Sequence, residues 1–367
     1  MLKGMEFRIY PNRIQETVIQ KTFGCSRVVY NSGLALRIEE HKNGKSAGYK
    51  ETNSMLTAMK HSEEYSWLKE VDSIALQQSL RDLDKAYKNF FAKRASFPKF
   101  KSKHNHNKSY RTQNVGGNIS VVGKYIKLPK LGYVKAKLSM PVDGKINNAT
   151  IKQTPSGKYF CVLNVEVPDV FYPNDGCMVG LDVGIKTFYT DSNDNTVSNP
   201  KNLAKSEKKL VKEQRHLSKM IKGSSNWNKQ RIKVARIHEK ITNQRNDFLH
   251  KESSKLVKEN QIICIENLNV KGMVRNHKLA KSISDVSWSK FFDMLEYKSA
   301  FYGTEIIKVP RFYPSSQTCG CCGYKNPNIK NLSIREWLCP VCGTFHTRDA
   351  NAAKNILKVG LSLRTTA

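Results

Sequence analysis

Acidic residues are scarce in this chain of 367 residues. Asp and Glu number 31 against 62 Lys and Arg, which gives a formal net charge of +31 at pH 7. Such an excess of one sign repels itself in a compact fold unless a polyanion neutralises it. A modest excess would be typical of a solvated basic surface. An excess of this size, spread over most of the chain, predicts a nucleic-acid partner.

Long hydrophobic runs are also missing. No apolar stretch approaches the roughly 20 residues that a transmembrane helix needs, and residues 1–4 (Met-Leu-Lys-Gly) lack the pattern of a signal peptide. We therefore expect no membrane partner. Hydrophobic residues still make up 39% of the chain and charged residues 25%, which predicts a globular protein rather than a disordered one. The length allows two or three domains.

The nine cysteines lack the even distribution of a secreted disulfide framework. Five of them lie between Cys319 and Cys342. The other four are scattered through apolar segments: Cys25, Cys161, Cys177 and Cys264. One metal cluster together with buried thiols is typical of a reducing cytoplasm.

Periodicity divides the first half of the chain into helices and strands. Residues 5–10 alternate like a strand, and helical spacing of apolar residues then covers residues 13–40, 52–61 and 73–94. Short alternating runs between residues 118 and 167, broken by Gly and Pro, predict a small antiparallel barrel or sandwich of about five strands. The opening strand can join that barrel, which would make the helical block an insertion.

The second half begins after a predicted linker at residues 171–176. Two strands are predicted within residues 178–191, followed by a helical hairpin over residues 202–259 that breaks at residues 223–226. Lys and Arg far outnumber Asp and Glu in the hairpin, and its apolar positions are sparse. A charge run is usually solvated surface, but this one flanks a candidate catalytic strand, so we expect it to follow phosphates.

Two cysteine knuckles predict a structural zinc ion. Cys319-x2-Cys322 is followed, after 16 residues, by Cys339-x2-Cys342, and each C-x-x-C turn aims two sulfurs at one ion. Four protein ligands close the site, so this zinc would fold a small segment rather than do chemistry. Cys321, inside the first knuckle, is interpreted as a non-ligand, although it could substitute for one. The segment also offers nucleic-acid contacts through Lys325, Lys330, Arg335 and Trp337, although Trp337 can instead pack beneath the metal.

Asp182 interrupts an apolar strand at residues 179–185. Alternation places it on one face of the strand together with Gly180 and Gly184. We expect the two glycines to leave space beside the carboxylate, as a hydrated metal ion would need.

Two further acids stand at the ends of predicted elements. Glu266 follows the apolar strand 262–265, and Asp349 begins a helix, where the helix dipole favours an anion. Each acid alone is commonly a turn residue or a helix cap. Together with Asp182, on two strands and a helix, they match what two-metal phosphodiester hydrolysis requires: carboxylates that hold two Mg²⁺ ions about 4 Å apart.

Several long blocks of the sequence resemble the TnpB family, proteins encoded by bacterial insertion sequences and related to the compact type V CRISPR nucleases. The resemblance covers almost the whole chain. The blocks are residues 7–11, 22–30, 180–186, 265–273, 312–319 and 348–353.

The resemblance implies an RNA-guided DNA endonuclease of the bacterial cytoplasm, associated with the nucleoid when bound. A guide RNA made from the element's own end would pair with double-stranded target DNA beside a short flanking motif. Asp182, Glu266 and Asp349 would be the Mg²⁺ ligands of an RNase H-like (RuvC) active site. Many relatives have Asp where Thr347 stands here; that Asp is not a core ligand, so we expect activity to survive.

The resemblance also implies an α+β multidomain fold. Residues 1–12 and 97–170 would form a wedge domain built on the β-barrel, and residues 13–96 a helical recognition lobe inserted into it. Residues 177–310 and 346–367 would form the RuvC nuclease domain. Residues 311–345 would be its inserted zinc ribbon, which binds target nucleic acid.

Residue-level contacts with nucleic acid are predicted outside the acids and the ribbon. Gln77, Gln78 and Arg81, on the polar face of a recognition helix, would read the flanking DNA motif. The predicted phosphate contacts are Lys99, Lys101, Lys103 and Arg111, with Arg348 beside the last acid. The alternative, that these are ordinary solvated side chains, stays open.

Two other functions compete with guided cleavage. One is a guided transcriptional repressor that binds DNA without cutting it, which the presence of all three acids disfavours. The other is a transposase that joins strands, for which the sequence offers no separate nucleophile such as a Tyr with a pair of His residues.

Overall fold

A computed structural model describes residues 1–168 and 176–365 and divides the chain into two units, Met1–Pro168 and Asp169–Ala367. Most of the predicted linker, residues 171–175, lies outside the described residues. Among the helices in the described ranges, none has the length and apolar character that crossing a membrane requires.

The first unit is built on a seven-stranded antiparallel sheet. Its strands are β1 (Leu2–Tyr10), β2 (Lys108–Gln113), β3 (Ser120–Val122), β4 (Tyr125–Leu128), β5 (Gly132–Lys137), β6 (Lys145–Gln153) and β7 (Tyr159–Glu166). Their order is β2-β6-β7-β1-β5-β4-β3. The opening strand therefore lies inside the sheet, paired with β7 on one side and β5 on the other. This confirms that the first strand joins the later ones.

The predicted barrel differs from the observed sheet in two ways. Across the described residues, β2 and β3 stand at the two ends of the strand order, so the sheet is a half-barrel and is not closed. Strand β2 was also missed, because only Tyr110 and Thr112 of its six residues face the core, and the basic composition around them hid the alternation. The sheet nevertheless curves, since side chains from strands at both ends of the order, such as Tyr110 and Ile126, share one hydrophobic core.

Three helices lie between β1 and β2: α1 (Arg13–Lys42), α2 (Tyr49–His61) and α3 (Ser73–Phe91), with a short 3-10 helix at Ser66–Glu70. Asn12 and Gln15 form a reciprocal capping box that starts α1. Helix α3 packs against α1, α2 and β2. Because α3 is covered on several sides, Gln78 is buried, at 4% exposure. The expectation that Gln78 lies on a polar face is therefore wrong.

A mixed five-stranded sheet forms the centre of the second unit. Its strands are β8 (Met178–Val183), β9 (Thr187–Asp191), β10 (Thr196–Ser198), β11 (Ile262–Glu266) and β12 (Glu305–Val309). The order is β10-β9-β8-β11-β12. Strands β8, β9 and β10 form an antiparallel meander, whereas β11 runs parallel to both β8 and β12. The two strands predicted after the linker are thus confirmed.

Helices and two ribbon strands complete the second unit. The helices are α4 (Asn202–Ser218), α5 (Ser225–Glu259), α6 (Val270–Met273), α7 (Ala280–Val286), α8 (Trp288–Tyr302) and α9 (Arg348–Thr365). The predicted helical hairpin is formed by α4 and α5, which pack through a small apolar cluster around Leu210, Val234 and Ile241. The ribbon contributes β13 (Glu336–Leu338), β14 (Phe345–Thr347) and a 3-10 helix at Pro327–Lys330.

The two faces of this sheet pack against different helices. Val179, Leu181 and Ile265 point into a core shared with α5 and α8. Cys264, one residue earlier on β11, points into the opposite core, which is shared with α9. Because side chains alternate along a strand, Asp182 and Glu266 also lie on the α9 side.

Two glycines allow α9 to lie close against the sheet. A Cβ atom on Gly180 of β8 would stand 2.2 Å from the carbonyl oxygen of Ala353 in α9. A Cβ atom on Gly360 of α9 would stand 2.3 Å from Sγ of Cys264 in β11. The expectation that Gly180 and Gly184 leave space for a hydrated metal is therefore wrong. The helix fills the space at Gly180, and the carbonyl oxygen of Thr187 lies 2.8 Å from a Cβ at Gly184.

We expect Gly360→Ala to lower the free energy of unfolding by about 1–3 kcal/mol, because the added methyl group overpacks a rigid contact. Gly24→Ala is the matched control, since Gly24 is also helical and a Cβ there meets nothing within 4 Å. The control should gain up to about 1 kcal/mol of helix stability. Urea denaturation of both variants measures the difference, and equal stability of the two would contradict the close packing.

Candidate active site and metal centre

Three acids meet at one edge of the second-unit sheet. Leu181 of β8 lies opposite Ile265 of the parallel strand β11, so Asp182 and Glu266 follow as neighbours on strands about 4.8 Å apart. Asp349 is the second residue of α9, the helix that covers this face of the sheet. The sequence signals that pointed to these residues, apolar strands ending in an acid and a helix start, thus lead to one place in the structure.

The negative charges at this edge affect one another. The carboxyl group of Asp182 is surrounded by protein atoms, and this burial raises its pKa well above the ordinary value. The charges of Glu266 and Asp349 raise the pKa of Asp182 further, while Arg348 and Arg335 lower it. Burial also raises the pKa of Glu266, against a hydrogen bond that the Ser315 hydroxyl donates to its Oε1 at 2.8 Å. The site therefore holds crowded, poorly solvated negative charge.

The three carboxylates do not form a compact shell around a single point. Among the described residues, the four knuckle cysteines are the only group of three or more potential metal ligands whose ligand atoms all lie within 4.8 Å of one another. The three acids are not such a group.

Arg335 contacts the third acid, and sequence reasoning considered it only as one of several basic residues of the ribbon. Its Nη1 lies 3.3 and 3.4 Å from the two carboxylate oxygens of Asp349. The backbone N–H of Arg348 donates to the carbonyl oxygen of Arg335 at 2.7 Å, which holds the two segments together. No spacing rule links Arg335 to Asp349, because the contact depends on how the ribbon folds back onto α9.

Two asparagines of α9 hold the chain that enters the ribbon. Asn351 accepts a hydrogen bond from the N–H of Gly320 and donates one to the carbonyl oxygen of Thr318. Asn355 donates to the carbonyl oxygens of Ser315 and Thr318 at 2.8 and 2.7 Å. Both side chains are buried. They fix the segment whose Ser315 binds Glu266, so the position of the ribbon and that of the second acid depend on the same helix.

An open groove of about 580 Å³ lies beside Asp349. It is bordered by the β9–β10 hairpin, the two ribbon strands and the first turns of α9. Thr190, Phe345 and Lys354 are among its lining residues, together with Arg335. Of the three acids, Asp349 alone lines this groove.

The four knuckle cysteines come together as predicted. Their Sγ atoms lie within 4.8 Å of one another, with 3.6 Å between Cys319 and Cys342 and 3.6 Å between Cys322 and Cys339. A tetrahedral zinc site with Zn–S bonds of about 2.3 Å needs sulfurs about 3.8 Å apart, so the thiols fit such an ion. Cys321 is exposed and lies outside the group.

The residues around the thiols pack them from one side. Trp337 is buried in one cluster with Cys319, Cys339 and Ile329, which supports packing beneath the metal rather than contact with nucleic acid. His346 was not singled out from the sequence. Its Nε2 lies 3.0 Å from Sγ of Cys319, and its ring is 4.6 Å from that of Trp337.

Two of the predicted nucleic-acid contacts, Arg348 and Arg111, have partners within the protein. Arg348 is buried, and its Nη1 donates to the carbonyl oxygen of Asn331 at 3.0 Å. This burial and the bond to the ribbon chain give Arg348 an internal, positioning role in place of the predicted contact with nucleic acid. Arg111 forms an ion pair with Asp82.

The remaining predicted contacts stay predictions. Gln77 is half-buried, while Arg81 is exposed and lies over the ring of Tyr49. Lys99 and Lys103 are exposed. Lys101 is anchored on α1, with its ammonium group 3.9 Å from the ring centre of Tyr30.

We expect Asp182→Asn to raise the melting temperature of the protein in chelator at neutral pH by a few degrees. The pKa of Asp182 is higher in the folded chain than in the unfolded one. Wild type therefore has its full stability below the ordinary Asp pKa and loses part of it as pH rises through the raised pKa. Asn is never charged, so the advantage of the variant should vanish in acid.

Thermal melts across pH measure this effect. Asp247→Asn is the control, because Asp247 is an exposed acid that pairs with Lys251 and should show no such gain. If Asp182→Asn is as stable as wild type or less stable at neutral pH, the ionised carboxylate of Asp182 does not destabilise the fold.

Comparisons with known proteins cover nearly the whole chain. Residues 161–277 match the OrfB_IS605 family model, described as "Probable transposase", and residues 288–356 match "Cas12f1-like, TNB domain". Residues 1–46 match a "Helix-turn-helix domain" model of the OrfB_IS605 group. In this structure that stretch holds strand β1 and the single long helix α1.

Named relatives are similar over most of their length. A protein of Streptomyces pristinaespiralis named "Putative RNA-guided DNA endonuclease" is 38% identical, with 98% of this chain and 90% of the relative aligned. "Putative RNA-guided DNA endonuclease InsQ" of Escherichia coli K12 is 37% identical, with 98% and 92% aligned. Among solved structures, a Cas12f1-sgRNA-target DNA complex has a similar fold, with a TM-score of 0.57 at 14% identity over 97% of this chain and 98% of that one.

Proposed function

The chain belongs to the OrfB_IS605 family, whose curated relatives include TnpB-like proteins, and from this we propose that it is an RNA-guided DNA endonuclease with a RuvC-type active site. The observation that carries the proposal is the meeting of Asp182, Glu266 and Asp349 on one face of one sheet. The mixed strand order and the covering helix α9 support the RNase H-like fold expected from the sequence.

The donor set of the proposed site fits Mg²⁺. All three side chains offer carboxylate oxygens, which Mg²⁺ prefers. Burial and the charges of Glu266 and Asp349 raise the pKa of Asp182, and a bound divalent ion would favour its ionised form. When bound, two such ions would activate the attacking water and stabilise the leaving oxygen. Asp182 and Glu266 would hold the ions from the strands, and Asp349 would hold them from α9.

Other residues of the site orient these ligands. The Ser315 hydroxyl fixes one oxygen of Glu266, so that the carboxylate keeps its orientation when charged. Arg335 is held beside Asp349 and is half-exposed toward the groove. A guanidinium group at that position suits the non-bridging oxygens of a phosphodiester, which it can bind through two hydrogen bonds.

Guided recognition accounts for the charge of the chain. Base pairing supplies sequence choice, so the protein needs mainly positive charge and shape complementarity to hold an RNA–DNA duplex. A net charge of +31 is then compensated by the bound RNA. In the proposed organisation, residues 13–96 form the recognition lobe of a wedge domain made of residues 1–12 and 97–170. Residues 311–345 form the ribbon of a nuclease domain made of residues 177–310 and 346–367.

The test of this function is to purify the protein, sequence the co-purifying RNA, and incubate the complex with Mg²⁺ and a DNA library with randomised flanks. We expect a discrete RNA and cleavage of library members that carry one flanking motif. Asp182→Ala should reduce cleavage about a thousandfold or more while DNA binding is kept. Asp247→Ala, at an exposed acid away from the site, should cleave like wild type.

Two outcomes would contradict the proposal. Absence of both a discrete RNA and any cut library member would remove guided cleavage altogether. Guided binding by a wild-type protein that never cuts would instead indicate a repressor.

The four clustered cysteines are proposed to bind one structural zinc ion. We expect one equivalent of zinc in the purified protein, and loss of that zinc in Cys339→Ser because the remaining three thiols no longer close the tetrahedron. Cys321→Ser is the matched control and should keep the full equivalent. Elemental analysis, with limited proteolysis of residues 311–345, measures both effects. Zinc loss in the control equal to that in Cys339→Ser would contradict the assigned ligand set.

A further inference from the structure

Alternation in the first-unit sheet places aromatic and basic side chains together on its outer face. In β5, Val134 and Ala136 point into the core, whereas Tyr133, Lys135 and Lys137 point outward. Strand β4 likewise buries Ile126 and Leu128 and exposes Tyr125 and Lys127, and β1 ends with Arg8 and Tyr10 on the same side. No nucleic-acid role was assigned to any of these outward residues from the sequence.

The register of the strands arranges these residues in rows. Tyr10, Lys135 and Tyr125 lie opposite one another across β1, β5 and β4. Tyr133 and Lys127 form a second pair across β5 and β4. Aromatic and basic side chains are therefore interspersed both along the strands and across them.

A third row extends the pattern over four strands. It runs through Lys152, Phe160, Arg8 and Lys137 on β6, β7, β1 and β5. The guanidinium group of Arg8 lies 5.3 Å from the ring centres of both Tyr10 and Phe160. The acid beside this row, Glu6, is paired with Lys152.

The rings on this face are open to solvent. Tyr10, Tyr125 and Tyr133 are 48%, 46% and 55% exposed. A groove of about 560 Å³ passes beside Tyr10, Lys124, Lys135 and Lys137. An apolar partner surface would be poorly matched here, because basic side chains are interspersed with the rings. The charge favours a polyanion, and the ring faces favour planar groups that can stack.

We propose that this outer face of β1, β4 and β5 binds unpaired bases of the RNA partner, with Tyr10, Tyr125 and Tyr133 stacking on bases and Lys135 and Lys137 binding phosphates. Tyr10 and Tyr125 are two strands apart, about 10 Å, which leaves room for one base on each ring. Paired bases stack on one another inside a duplex, so open ring faces select single-stranded segments. The identity of the partner as RNA rests on the proposed function.

The aromatic part of the proposal is tested with two triple variants that differ only in the ability to stack. Replacing Tyr10, Tyr125 and Tyr133 together by Leu should weaken binding of a short oligouridine at least tenfold, whereas replacing them by Phe should change it less than about threefold. The positions are exposed, so both variants should melt like wild type. Equal affinities of the Leu and Phe variants would overturn the stacking role.

The basic part is tested by salt dependence. Lys135→Ala/Lys137→Ala should lower the slope of log affinity against log salt by about 1.4, because each phosphate contact of a single strand contributes about 0.7. Lys50→Ala/Lys69→Ala removes two exposed lysines that lie elsewhere in the same unit and should leave the slope unchanged. Equal slopes for the two double variants would overturn the assignment of the phosphates to this face.

Ultraviolet cross-linking separates failure of this inference from failure of the proposed function. With the co-purifying RNA, cross-links should map to peptides that contain Tyr10, Tyr125 or Tyr133. If wild type carries RNA and cleaves DNA under guidance, but cross-links map elsewhere and the Leu variant binds RNA normally, this inference is wrong and the function stands. If wild type carries no RNA and cuts nothing, the proposed function is wrong. Binding of oligouridine then still tests whether the outer face binds single-stranded RNA. Tighter binding of oligothymidine than of oligouridine would overturn the assignment to RNA.

Discussion

Close packing of helix α9 against the second-unit sheet is the constraint on which the site depends. Gly180 on the strand and Gly360 on the helix remove the two methyl groups that would otherwise push the layers apart. With the layers in contact, the first turn of α9 brings Asp349 to the edge where the parallel strands present Asp182 and Glu266. Poor solvation and the charges of Glu266 and Asp349 raise the pKa of Asp182, which is typical of sites that gain stability when a ligand binds.

The same helix links the ribbon to the acids. Asn351 and Asn355 hold the segment before the first knuckle, and Ser315 in that segment binds Glu266. Between the two knuckles, Arg335 of the ribbon contacts Asp349. A small segment with few apolar residues gains stability when a metal ion ties it together, so the proposed zinc ion would hold the ribbon in the fold that makes these contacts.

The sequence was informative where one local rule acts alone. Alternation located β4 and β7, knuckle spacing located the thiols, and the carboxylates stood out against apolar strands. Sequence patterns gave wrong predictions at residues whose surroundings depend on how two elements pack together. Gln78 looks polar-facing on an isolated helix but is covered from several sides, and Gly180 suggested a cavity where a helix packs. The contact of Arg335 with Asp349 could not be predicted, because it depends on the path of the ribbon.

The central claim is that the three acids share divalent ions. Its most direct measurement is a crystal structure of the protein grown with Mn²⁺, with data collected at the manganese absorption edge. We expect two anomalous peaks about 4 Å apart, with carboxylate oxygens of Asp182, Glu266 and Asp349 all among their ligands. Well-ordered carboxylates with no peak between them, or a peak bound by one acid alone, would contradict it.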